Sequence, residues 1–135
     1  MKKLLHAAGS IVIAAGFSSG ALLAHHSFAA QYDRSKQTTL TGPVTKIDWI
    51  NPHARFFMDV KDASGKVSNW EIELAAPAML MRRGWSRTSI KIGEPVTVNG
   101  SLAKDGSNLA NATAVTLSDG KKVFAGSSGG DGANP

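Results

Sequence analysis

The 135-residue chain has no cysteine, one tyrosine and only four histidines. Without thiols it has no disulfide framework, thiolate zinc site, iron–sulfur cluster, cysteine nucleophile or covalent c-type haem attachment. It also lacks a Gly-x-Ser-x-Gly nucleophile elbow. The length fits one small domain and excludes large catalytic scaffolds such as a (β/α)8 barrel of about 250 residues. The Gly-rich C-terminal stretch opens no helix and so is no phosphate loop. Asp62-x-Ser64 followed by Glu73 has a superficial calcium-loop spacing, but the required glycine is misplaced. Asp59, Glu71 and Glu73 alternate with apolar residues, the pattern of a solvated strand face rather than of an acid–base pair. These absences predict a protein that is not an enzyme.

What the chain does have begins with an export signal. Met1-Lys2-Lys3 is a basic start, and Leu4 to Ala24 then carries no Asp, Glu, Lys or Arg, with an apolar centre at Ile11-Val12-Ile13. Basic start, apolar run and small residues at the end describe a secretory signal peptide over 1–24. Gly9, Ser10, Gly16, Ser18, Ser19 and Gly20 dilute the run, which argues against a retained membrane anchor. Ala24 is the expected cleavage position, with Ala21 and Ala29 as alternatives. Loss of Lys2 and Lys3 lowers the formal charge of +5 by two. The expected location is the periplasm, with no stable membrane anchor after cleavage and no nucleic-acid partner.

Residues 25–37 read as an N-terminal arm, 38–125 as the folded domain and 126–135 as a disordered tail. Leu40–Ile50 is β-prone, with Gly42-Pro43 marking an edge or bulge. Ala54–Lys61 alternates, placing Phe56, Met58 and Val60 on one face, and after the Asp62–Lys66 loop Trp70, Ile72 and Leu74 face inward. Pro77 to Arg83 is a short helix stopped by Gly84. Val96–Leu102 and Ala112–Leu117 complete five strands, and a turn at Ser118–Lys121 leads to Val123-Phe124. One helix between the third and fourth of five strands is the order of an all-β, OB-fold-like barrel, with another small barrel or sandwich as the alternative.

Two groups of side chains are candidate sites. With His6 inside the signal, the remaining imidazoles are His25, His26 and His53. Cleavage after Ala24 makes His25 the new terminus, whose amine and ring Nδ1 can chelate one metal while His26 or His53 adds a second imidazole. Such an all-nitrogen set favours copper, as Cu(II), over Ni(II) and Zn(II). The blander alternative is a frayed terminus and a turn histidine. The second group is Arg82, Arg83 and Arg87 around Trp85, suited to an anionic ligand or a partner's carboxylates. Cations also belong at a helix C-terminus on dipole grounds alone.

The motifs Ala24-His25-His26-Ser27-Phe28, Thr41-Gly42-x-Val44-Thr45-Lys46, Trp49-x-Asn51-Pro52-His53, Met81-Arg82-Arg83-Gly84-Trp85 and Lys104-Asp105-Gly106-Ser107 are similar to those of a family of small exported bacterial proteins, a domain of unknown function. The resemblance implies a Gram-negative periplasmic protein with an OB-like barrel, and it supplies no activity, cofactor or catalytic residue. Two functions are therefore expected as alternatives. One is a non-enzymatic periplasmic binding protein that takes copper through His25, His26 and His53. The other is an OB-fold adaptor that recognises a protein, glycan or anionic small ligand through the barrel face and the Arg82/Arg83/Arg87 cluster.

Overall fold

The computed structural model describes residues 28–126. The signal peptide, its cleavage position, His25, His26 and residues 127–135 of the expected tail lie outside them. A helical turn at 28–31 leads into β1 (Tyr32–Asp48), followed by β2 (Arg55–Lys61), β3 (Val67–Glu73), α1 (Pro77–Arg82), β4 (Pro95–Ala103), β5 (Leu109–Thr116) and β6 (Lys122–Phe124). The sheet order is β3-β2-β1-β4-β5-β6, and a parallel β3–β5 pairing closes it into a ring. This is an OB-fold-like barrel, with its helix between β3 and β4 and a short sixth strand added on β5.

The long first strand makes closure possible. Its first part pairs with β4, from Tyr32 opposite Ala103 to Pro43 opposite Pro95, and its last part with β2, from Val44 opposite Met58 to Asp48 opposite Arg55. The partner changes near Gly42, where a Cβ would stand 1.8 Å from the Asp59 carbonyl oxygen. At Gly100 of β4 a Cβ would stand 2.1 Å from the Asn111 carbonyl oxygen. Only glycine lets the backbones approach this closely, so both positions set the curvature of the barrel.

The expected alternation holds for the core. Phe56, Met58, Ile72, Leu74, Val98 and Val115 are buried inside the ring, with Leu80, Trp85 and Ile90 closing it from the α1 side. Trp49 and Trp70 are only half-buried against this core. Pro77 occupies the first turn of α1, and Gly84, with φ of 90°, follows its end as expected. No helix among the described residues is long and apolar enough to cross a membrane.

Two boundaries differ from the sequence expectation. The barrel begins at Tyr32 rather than Thr38, because residues 32 and 33 already pair with β4 before a register shift between Asp33 and Gln37. Such a shift breaks the alternation by which a strand is recognised. At the other end Gly126 is buried and its carbonyl accepts a bond from Arg83, so this residue belongs to the packed domain and not to the tail.

Candidate functional site

Glu73, the last residue of β3, was expected on a solvated face but is only 5% exposed. It does point away from Ile72 and Leu74, as alternation requires. The outer surface at this end is covered, however, by Tyr32 at the start of β1 and by the β1–β2 loop. The Tyr32 hydroxyl donates to Glu73 Oε2 at 3.0 Å, and Asn111 Nδ2 of β5 donates to Oε1 at 3.1 Å. His53 Nδ1 lies 3.1 Å from the same Oε1. Arg55 approaches Oε2 at 3.5 Å and pairs closely with Glu71. Arg55 thus bridges Glu71 and Glu73 on the barrel surface.

The backbone explains the convergence. Glu73 stands opposite Arg55 in the antiparallel β2–β3 pair and beside Asn111 in the parallel β3–β5 pair. The close approach permitted by Gly100 brings this stretch of β5 against β4. The Phe28 and Tyr32 rings lie 5.2 Å apart, one turn from each other, and Arg34 sits 5.0 Å from the Phe28 ring centroid. Lys104 donates from its backbone to Gln31 and from its side chain to Ala29, so the N-terminal turn is tied to the β4–β5 connection. A carboxylate taken out of water needs such partners.

The electrostatics follow from this geometry. Burial alone would raise the Glu73 carboxyl, but the bond and charge of His53, then the Tyr32 hydroxyl and Arg55, outweigh it and hold the group below the usual carboxylate range. Burial, then the charge of Glu73 and the bond to it, push the Tyr32 hydroxyl far above its ordinary value. No buried side-chain nitrogen or oxygen among the described residues lacks a partner.

His53 is thus the one expected metal-ligating residue that the described chain contains, and its side chain remains 38% exposed. With Nδ1 engaged, its Nε2 has no partner among the described residues. Those residues hold no group of three or more side chains able to bind a metal. Any site that uses His53 needs further donors, and His25 and His26 are two such groups.

The cationic candidate does not form one surface. Trp85 is 4% exposed and donates from Nε1 to the Phe124 carbonyl at 2.9 Å, so it fills the core and offers no face to a ligand. Arg83 lies 4.7 Å from the Phe124 ring centroid and bonds Gly126, which spends its guanidinium within the chain. Arg82 and Arg87 remain exposed. The crevice beside Arg87 and Arg55, floored by Ile47, Trp85 and Ile90, measures about 10 Å³, no more than the space of one water.

Reasoning from sequence missed Tyr32, Glu73, Asn111 and Arg55 as members of one site. The available signals were faint: a single tyrosine within the presumed arm, and a polar Asn111 between Ala110 and Ala112, small residues that mark close packing.

No curated protein matches the chain. Among solved structures it is similar to the mitochondrial single-stranded DNA-binding protein Rim1 of S. cerevisiae, at 10% identity and a TM-score of 0.47, over 61% of this chain and 92% of that one. A family model matches residues 12–112, through the His53, Glu73 and Asn111 positions, and the chain belongs to that family, the family of unknown function DUF6152.

Proposed function

We propose that this is an exported, periplasmic, non-enzymatic binding protein. It takes Cu(II) through the amine and ring of His25, as the terminus left by cleavage after Ala24, together with His26 and His53. One observation carries this reading: Tyr32, which packs against Phe28, and His53 meet on the same carboxylate, that of Glu73. Phe28 packs at a tilt against Tyr32, the Tyr32 hydroxyl donates to Glu73, and Glu73 bonds His53. His25 precedes Phe28 by three residues in the sequence. A histidine held at Nδ1 by a carboxylate, with Nε2 open, also has the second-shell arrangement usual for metal-ligating histidines.

The test has two steps. Intact-mass analysis of the exported protein is expected to place the new terminus at His25, and any other terminus removes the chelate. Cu(II) titration followed by EPR is then expected to show nitrogen ligation that weakens in His53→Ala. An unchanged spectrum in that variant excludes His53 as a ligand.

A second reading, an adaptor for a periplasmic protein, a glycan or an anionic small ligand, is supported by the exposure of Arg82 and Arg87. Pull-downs with wild type and with an Arg82→Ala/Arg87→Ala variant test it. Equal recovery of partners removes that role.

A further inference from the structure

We infer that Glu73 is a positioning residue: it fixes His53 in the tautomer that carries its proton on Nδ1 and presents an unprotonated Nε2 outward, and Tyr32 and Asn111 hold the carboxylate in place for this task. The inference rests on the proposed use of His53 as a ligand, but the geometry behind it is independent of any metal.

Glu73 receives the Tyr32 hydroxyl on Oε2 and the Asn111 amide on Oε1, and it faces the Arg55 guanidinium. Every one of these neighbours donates, so the carboxylate is an acceptor and the bond at 3.1 Å has the proton on His53 Nδ1. A neutral imidazole with a proton on Nδ1 has its lone pair on Nε2, the form a metal requires. Asn111 and His53 share one oxygen, which restrains the His53 ring relative to β5 as well as β3. Tyr32 does more than satisfy the other oxygen. Because its ring also packs on Phe28, the hydroxyl links the orientation of His53 to the seating of the N-terminal turn. A turn histidine satisfied by backbone would need none of these groups.

The experiment is long-range 1H–15N NMR of the metal-free exported protein at mildly alkaline pH, where an ordinary imidazole is neutral. Wild type is expected to show His53 protonated on Nδ1. Glu73→Leu, which removes both oxygens, is expected to lose that preference and to take the Nε2-protonated form common to free imidazoles. Glu73→Gln is expected to retain it, because the Asn111 donor orients the amide oxygen towards His53. A wild-type His53 protonated on Nε2 overturns the inference. So does a folded Glu73→Leu variant with an unchanged tautomer. If Glu73→Leu does not fold, the wild-type spectrum decides: His53 protonated on Nδ1 supports the inference, and His53 protonated on Nε2 overturns it.

Copper adds a separate arm. Loss of the positioning carboxylate is expected to weaken Cu(II) binding about 10–100-fold in Glu73→Leu, as second-shell losses do. Wild type that binds no Cu(II) removes the copper reading while the NMR result still decides the role of Glu73. Copper bound equally by wild type and folded Glu73→Leu overturns the positioning role and leaves the copper reading intact.

Discussion

Two regions of the barrel combine charged and aromatic side chains, and they use them in opposite ways. Around Glu73 of β3, groups from β1, β2, β5 and the β1–β2 loop turn towards one buried carboxylate and leave the outer nitrogen of His53 open. Around α1 the flow is outward. Trp85 sinks into the core, Arg83 covers Phe124 and donates to the Gly126 carbonyl, and Arg82 and Arg87 stand in solvent. Arginine and an aromatic ring thus take part in a polar cluster in one place and in a core lid in the other. The deciding factor is whether a charge is carried inward: a buried carboxylate compels its neighbours to organise, whereas an exposed guanidinium compels nothing.

Substitutions can break this contrast. The largest loss is expected for Trp85→Ala, about 4 kcal/mol in urea unfolding, as for other large aromatic truncations in a core. A ligand-facing tryptophan would cost far less. Glu73→Leu follows at about 3 kcal/mol, because Arg55, Asn111 and Tyr32 lose their common acceptor in a buried setting. Tyr32→Phe keeps the ring against Phe28 and removes only a bond to a charged group, so about 1.5–2 kcal/mol is expected. Arg82→Ala and Arg87→Ala should stay within about 0.5 kcal/mol of wild type by the same measurement. Losses above that would show an organised cationic site after all.

The pH dependence of stability sharpens the contrast further. Because the folded-state value of Glu73 is depressed, its contribution is complete above the ordinary glutamate value and is lost as pH falls through the lower, folded-state value. Tyr32 acts at the other end. Its folded-state value is raised, so its contribution is complete below the ordinary tyrosine value and declines as pH rises beyond it. Chemical denaturation across pH is expected to show both limbs in wild type. The acid limb should flatten in Glu73→Leu and the alkaline limb in Tyr32→Phe, while Arg82→Ala and Arg87→Ala alter neither.

Much of the barrel was legible in the chain itself. Phe56, Met58, Ile72 and Leu74 declare their inner face by alternation, and Pro77 and Gly84 bracket α1, because both signals arise within a few residues. Of the site, only His53 was legible, since a scarce imidazole in a turn is visible without partners. Glu73 was not. Alternation correctly points it away from the core, but whether that outer face meets water depends on Tyr32, 41 residues earlier, and Asn111, 38 residues later. Trp85 as a ligand contact failed for a related reason: Arg83 and Arg87 stand two residues away on either side in sequence, while in space its indole is buried and bonds the Phe124 carbonyl.

By itself, then, the sequence determined the absence of thiol chemistry, the strand and helix order, and the scarcity of imidazoles, because composition and local periodicity suffice for each. Only the tertiary structure decided that the long β1 is shared between β4 and β2, that β3 meets β5, and that this closure buries Glu73 beneath Tyr32 and against His53. Burial is a property of what lies on top of a residue, and in a closed barrel that cover comes from distant parts of the chain.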